Sequence, residues 1–89
     1  MIYTCHSSIF YTVWCDEFIL LHQLSGDTYY YSGIAKDVLC FCFPNNTISS
    51  AKLIDYFRDS FISEKAAIEF INSLVSDLIQ KNILILAIA

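Results

Sequence analysis

The stretch Phe18–Ser32 reads FILLHQLSGDTYYYS and has the pattern of a β-hairpin. Its first half, Phe18–Leu24, is largely apolar and suits a strand that packs on a core. The turn falls at Ser25–Asp27, where Gly26 adopts a positive φ without steric cost. Its second half, Thr28–Tyr31, consists of β-branched and aromatic residues, which fit a pleated surface. We therefore expect two antiparallel strands joined by a tight turn.

The residues before this hairpin supply a further strand. Met1 to Trp14 has the composition of one or two short strands, and residues 9–13 have the strongest β character. This segment leads into the hairpin, which predicts a three-stranded antiparallel meander. Thr28–Tyr31 is then an edge strand, whose unpaired N–H and C=O groups a protein must either protect or use.

The residues after the hairpin have helical patterns. Ser32 is a suitable N-cap for a helix over Gly33–Cys42, which has a wide apolar stripe and is stopped by Pro44. A second helix is predicted to run to about Phe61. Its cap is Thr47 or one of two serines that follow, Ser49 and Ser50.

The strongest periodic signal belongs to a third helix. Ser63 is its predicted N-cap, and Asn82 follows its end as a residue that tolerates the left-handed conformation. The apolar tail Ile83–Ile88 is expected to lie extended against the core. The apolar residues at helical spacing are Ala67, Ile68, Ile71, Leu74, Val75, Leu78 and Ile79.

Together these elements predict an α+β fold, in which a three-stranded antiparallel sheet is followed by three helices. Three helices with the longest one last are also similar to a winged helix-turn-helix. A chain of 89 residues is expected to form one domain over residues 1–89. Its 56% of hydrophobic residues can form a core without metals or disulfides.

The charge balance argues against a nucleic-acid partner. The net charge is −4, and the chain has only five Lys and Arg residues, whereas nucleic-acid binding requires clustered basic charge. No uninterrupted apolar run reaches the about 18–20 residues of a membrane span, and the N-terminus lacks the positive region of a signal peptide. We therefore expect a cytoplasmic protein without a membrane partner.

Four cysteines, at positions 5, 15, 40 and 42, are expected to be reduced. Cys40 and Cys42 lie in an apolar run, where a free cysteine behaves as a small buried hydrophobe. Inside a helix with about 3.6 residues per turn, these two thiols point about 200° apart, which does not suit a shared metal. We expect no metal and no cofactor.

Catalytic constellations are also missing from the sequence. His6 and His22 have no nucleophile or acid partner at a recognisable spacing, and His22 is expected to be a structural residue. Asp16 and Glu17 are adjacent, so in a strand their carboxylates point to opposite faces. We expect a protein that is not an enzyme.

The order and spacing of the elements resemble the PqqD-like family, the peptide chaperones also called RiPP recognition elements. The likeness spans roughly residues 9–85. Many relatives carry Asn, Trp and Gly where this chain has Ser32, Leu39 and Asn82, but each change preserves the local role. The aromatic hairpin looks more like the stand-alone proteins of lasso-peptide pathways than the pyrroloquinoline quinone chaperone. The matching residues are Leu20, Leu21, Ser25, Gly26, Thr28–Tyr31, Ser32, Ala35, Val38, Leu39, Thr47 and Leu78–Ile83.

This resemblance implies a function in peptide binding. The family binds the unstructured leader of a ribosomally made precursor peptide, which adds as a strand beside the third strand and packs against the third helix. The implied partners are the precursor peptide and modifying enzymes such as a leader peptidase or a cyclase. A homodimer in which the open edge strand pairs with itself stays open as an alternative.

The implied site combines the edge strand with one flank of the third helix. Because side chains alternate across a strand, Tyr29 and Tyr31 should face the helix and Tyr30 the opposite side. If the strand has no role in binding, they are simply two core tyrosines and one surface tyrosine. We expect Leu74→Asp to weaken binding with little effect on stability. The predicted peptide-binding residues are Thr28, Tyr29, Tyr30, Tyr31, Phe70, Leu74, Asp77 and Lys81.

Two other functions fit parts of the sequence. The first is a winged-helix DNA-binding regulator, although Glu64, Glu69 and Asp77 make the third helix a poor reader of a phosphate-lined groove. The second is an obligate subunit whose apolar groove is permanently filled by a partner protein. A gel shift with random duplex DNA at low salt distinguishes the first from a peptide chaperone.

Overall fold

Two antiparallel sheets of three strands each, with three helices, form the fold in the computed structural model, which describes residues 2–45 and 47–88. Met1, Asn46 and Ala89 lie outside the described residues. The α+β class predicted from the sequence is confirmed. In chain order the elements are β1 (Ile2–Cys5), β2 (Ile9–Trp14), β3 (Glu17–His22), β4 (Thr28–Tyr31), α1 (Gly33–Cys42), β5 (Thr47–Ser49), α2 (Ser50–Phe57), α3 (Glu64–Gln80) and β6 (Leu84–Ile88).

The predicted meander is the sheet β2-β3-β4, in which each strand pairs antiparallel with the next. Cys15 and Asp16 join β2 to β3 and both have a positive φ, 51° and 62°. Two such residues match the twist of a two-residue hairpin turn. Gly26, with φ of 76°, supports the turn before β4. β4 is an edge strand, as predicted.

Alternation along the strands decides which side chains reach the core. Phe18, Leu20 and His22 of β3 are buried, and the residues between them are more exposed. Tyr29 pairs with Leu20 and lies partly buried on the same core face, whereas Tyr30 is 64% exposed on the other face. The predicted facing of the β4 tyrosines is confirmed.

The second sheet, in the order β5-β1-β6, is absent from the sequence prediction. Tyr3 at its centre pairs with Ile48 on one side and Leu86 on the other. The segment expected as an extended tail is therefore a paired strand. Thr47, expected to cap the second helix, lies in β5, and Ser49 is the N-cap residue of α2. A three-residue strand is too short for a periodic signal, and its threonine and serine resemble helix caps.

The helices are close to their predicted bounds, with one exception. α1 has the predicted ends, and at the start of α3 the Ser63 hydroxyl accepts a hydrogen bond from the Ala66 N–H at 3.1 Å. Asn82, with φ of 58°, follows α3 in the left-handed region as expected. α2 ends at Phe57 and continues as a 3₁₀ turn, one turn before the predicted end.

The core lies between the two sheets and the helices. Its fully buried side chains come from both sheets and from the helices, and they pack the meander against α1 and α3. Ile68 and Ile79 of the predicted apolar stripe are exposed, so the buried stripe of α3 is narrower than the sequence indicated. The largest fully buried side chains are Phe18, Leu20, Leu39, Ile71, Ile83, Leu84 and Val38.

Candidate functional site

The open edge of β4 presents main-chain groups from two residues. The His22 N–H donates to the Asp27 carbonyl at 2.9 Å, so His22 and Asp27 form a hydrogen-bonded pair of the β3–β4 ladder. Because hydrogen-bonded and non-hydrogen-bonded pairs alternate, Tyr29 and Tyr31 direct their main-chain groups toward β3. Thr28 and Tyr30 therefore direct their N–H and C=O groups away from the sheet. The edge can hydrogen-bond an extended chain at these two positions.

A polar network ties β4 to the C-terminal turns of α3. The Tyr31 hydroxyl lies 3.3 Å from Asp77 Oδ2, to which it donates. Lys81 Nζ donates to the same oxygen at 3.0 Å and to the Tyr31 hydroxyl at 3.4 Å. The same ammonium lies 4.6 Å from the ring centroid of Tyr29, within cation–π range. The network fixes the distance between the edge strand and the helix.

The network is neutral at Tyr31 and charged at Lys81 near neutral pH. Burial raises the pKa of Tyr31, although the nearby Lys81 opposes the shift. Burial lowers the pKa of Lys81, but its hydrogen bonds to Asp77 and Tyr31 outweigh this effect and raise the pKa above the ordinary value. The rim of the site thus holds a lysine that stays protonated.

Leu74 does not line an open groove. Its side chain is only 8% exposed and belongs to the hydrophobic core, together with Ile71 and Leu78 of the same helix. The expectation that a charge at position 74 could remain solvated is therefore wrong. Phe70, one turn earlier on the same flank, is partly buried and packs with its ring centroid 5.3 Å from that of Phe61.

The eight predicted residues therefore separate into groups. Tyr29, Tyr31, Asp77 and Lys81 meet in the network, while Thr28 and Tyr30 form the open edge. Phe70 lies farther along α3, and Leu74 lies beneath the surface.

A cavity of about 650 Å³ opens where β4 begins and α3 ends. His22 Nε2 lies 3.2 Å from the Asn82 carbonyl oxygen, so this nitrogen carries the proton and donates. Nδ1 of the same buried ring has no hydrogen-bond partner within the described residues. Sequence reasoning did not place this cavity, although a histidine on the core face of an apolar strand was a signal. The lining residues are His6, His22, Leu24, Ser25, Asp27, Tyr29, Gln80, Lys81, Asn82 and Ile85.

The cysteines are free thiols with different surroundings. Burial raises the pKa of Cys5 to about 11. Burial, assisted by the nearby Cys5, raises the pKa of Cys42 to about 12. Thiols with such values are protonated at neutral pH and are poor nucleophiles. Within residues 2–45 and 47–88, no group of three or more His, Cys, Asp or Glu side chains is placed to hold a metal ion.

Comparisons with known proteins give a fold. No family model matches the sequence, and no curated protein matches it either. Two solved structures share the fold over nearly all of the chain, and both are complexes of a protein with a leader peptide.

One of these structures is TbiB1 in complex with the TbiA(beta) leader peptide. It has a TM-score of 0.83 and 11% identity, and the match covers 97% of this chain and 99% of that one. The other is lasso peptide synthetase B1 complexed with the leader peptide, with a TM-score of 0.79, 15% identity, and coverage of 94% and 98%. This likeness confirms the fold that the resemblance implies. The described helices include none long and apolar enough to cross a membrane.

Proposed function

We propose that this protein binds the leader segment of a ribosomally made precursor peptide and presents it to modifying enzymes, such as a leader peptidase or a cyclase. The observation that carries the proposal is the open edge of β4 beside α3, with Thr28 and Tyr30 turned outward. The two structures of the same fold support it, because leader peptides are bound in both.

Main-chain pairing supplies the affinity that does not depend on peptide sequence. A leader that adds as a strand pairs its N–H and C=O groups with those of Thr28 and Tyr30. Each such hydrogen bond contributes about 0.5–1.5 kcal/mol net. Two residues of edge are too few for selective binding, so side chains must supply the rest.

Side-chain recognition is expected at two places next to the contact between Tyr29 and Lys81. On one side, the Asp77–Lys81 pair offers both charges to polar leader residues at the rim. On the other side, the cavity that reaches His22 has room for a leader side chain. Phe70 adds apolar surface farther along the helix.

The protein acts in this proposal by binding alone, in the cytoplasm, where precursor peptides are made. The protonated buried thiols and the structural contact of His22 fit a protein without catalysis. DNA binding is less well supported, because the net charge is −4 and α3 begins with Glu64.

The test is a fluorescence-anisotropy titration with a labelled candidate leader, which is the N-terminal half of a short reading frame identified by sequencing the DNA on either side of this gene. A peptide of the same composition in scrambled order is the control. Saturable binding of the first peptide and at least about tenfold weaker binding of the second are expected, a difference of about 1.4 kcal/mol. Equal binding of both peptides, or no binding of either, would contradict the proposal. A gel shift with random duplex DNA tests the regulator alternative.

A further inference from the structure

The second edge of the meander, strand β2, carries an exposed apolar surface that the proposed function does not use. Among the described residues, β2 has a neighbouring strand on one side only. Phe10 is 58%, Val13 47% and Trp14 70% exposed, and no residue of the six-residue strand is charged. Natural edge strands are usually protected by charges, prolines or bulges. An uncharged apolar edge of this length is therefore a candidate interface.

The main-chain groups that face outward on β2 follow from its pairing with β3. The Gln23 N–H donates to the Ser8 carbonyl at 3.0 Å, which makes this pair a hydrogen-bonded one. By alternation, Ile9, Tyr11 and Val13 direct their main-chain groups to the open edge. The Ile9 N–H is already donated to the His6 carbonyl at 3.2 Å. The groups left for a partner are the N–H of Tyr11 and Val13 and the carbonyls of all three outward residues.

We propose that β2 pairs antiparallel with β2 of a second copy of this chain, about a two-fold axis at Tyr11. In this register the Tyr11 N–H donates to the Tyr11 carbonyl of the second copy. The Val13 N–H donates to the carbonyl of Ile9 in the second copy, so the occupied Ile9 N–H is not needed. Each bond is made twice by symmetry. The β2-β3-β4 sheets of the two copies then form one six-stranded sheet, in which each outer edge is a β4 strand.

The charge distribution favours antiparallel over parallel pairing with a second copy. Asp16 and Glu17 lie at the hairpin tip, and β2 itself is uncharged. Antiparallel pairing sets the two acidic tips at opposite ends of the interface, more than about 20 Å apart, because the two Trp14 residues that precede them are already six residues of about 3.4 Å each from one another. This separation exceeds the Debye length of about 8 Å at physiological salt, so repulsion is screened. Each acidic tip then approaches the His6–Ser8 turn of the other copy.

The side chains of β2 are also self-complementary. On the outer face, this register places Phe10 opposite Thr12 of the second copy, a pairing of aromatic and β-branched residues that stabilises sheets. On the core face, Tyr11 is held in position, because its ring stacks on Phe18 with centroids 5.1 Å apart and meets Phe43 edge-on at 5.2 Å. The interface therefore forms without rearranging either chain.

Sedimentation equilibrium over a concentration series tests this inference. We expect the wild-type mass to rise from one chain to two, accompanied by a blue shift in the emission of Trp14, the chain's one tryptophan. Val13→Pro removes an outward N–H and no bond to β3, so it should raise the dimer dissociation constant at least about tenfold. Thr28→Pro, on the opposite edge, is the matched control and should leave dimerisation unchanged.

Two results would overturn the inference. One is a mass of a single chain at every concentration, and the other is a dimer that Val13→Pro leaves as stable as wild type or that Thr28→Pro weakens as strongly as Val13→Pro does. If circular dichroism shows that Val13→Pro is unfolded, Val13→Lys takes its place, since this half-exposed position tolerates a lysine in the monomer. Leader binding is measured separately, so loss of one property leaves the other interpretable.

Discussion

The two edges of the meander share a sheet but differ in what lies beside them. β4 is four residues long, and its core-face tyrosines contact Asp77 in the last turn of α3 and Lys81 directly after it. β2 is longer, and five of its six residues are exposed. An edge supported by a helix combines main-chain groups with side-chain contacts of defined chemistry. An edge without such support offers main-chain groups and a flat apolar surface, which suits a copy of itself better than a selected peptide.

The largest effect should come from breaking the support behind β4. Leu74→Asp places a charge in the core without a partner, and we expect the free energy of unfolding to fall by more than about 3 kcal/mol. Urea denaturation measures this change. Ser73→Asp, at the exposed neighbouring position, is the control and should stay within about 0.5 kcal/mol of wild type. If the two variants were equally stable, the Leu74 side chain would have to lie at the surface and not in the core.

Thr28→Pro should show that leader binding depends on the β4 edge and not on the β2 edge. It removes one outward N–H of β4, and we expect leader binding to weaken by about 1–1.5 kcal/mol, roughly tenfold. The fold should persist, because this N–H makes no bond to β3. Anisotropy titration gives the dissociation constant, and Val13→Pro on β2 should leave it unchanged. If Val13→Pro abolished leader binding instead, the leader would bind the β2 edge and not the β4 edge.

The contribution of the rim is expected to be smaller. Lys81→Met keeps the aliphatic length but removes the ammonium that contacts Asp77 and Tyr31. We expect leader binding to weaken about two- to fivefold, because exposed ion pairs contribute about 0.2–1 kcal/mol. Asp55→Ala, which removes the exposed Asp55–Arg58 pair on α2, is the control and should leave binding unchanged. Equal binding of Lys81→Met and wild type would exclude the rim from the site.

The smallest effect should appear at alkaline pH. The pKa values of Tyr31 and Lys81 are both raised in the folded protein, so their contribution to stability is complete below the ordinary values of about 10 and 10.4 and falls as pH rises through the raised values. We expect the melting temperature to decrease above pH 10 more steeply in wild type than in Tyr31→Phe. The contribution of Cys5 and Cys42 to stability also falls as pH rises above about 9, but it falls equally in wild type and in Tyr31→Phe. Parallel melting curves would show that Tyr31 does not sense the network.

Features that depend on neighbouring residues could be predicted from the sequence. The turn at Gly26, the N-cap at Ser63 and the left-handed Asn82 each follow from local stereochemistry. The second sheet could not be predicted, because Ile2 pairs with Ser49 on one side and Ile88 on the other, and no local pattern records such distant pairing.

Within the site, the edge position of β4 followed from strand order, but the depth of Leu74 did not. A stripe of apolar residues on a helix does not reveal how much of it neighbouring side chains cover. The contact of His22 with Asn82 joins residues sixty positions apart and also left no local signal.

The outward pair Thr28 and Tyr30 has a consequence for how a bound chain is read. Main-chain bonds at two alternate residues accept any extended segment, and a shift of two residues restores the same bonds with the same faces. A shift of one residue turns every side chain to the opposite face. The main-chain bonds are the same in either case, so they set neither the phase nor the register of the peptide, and both must be set by side chains that fit beside Tyr29 and Lys81.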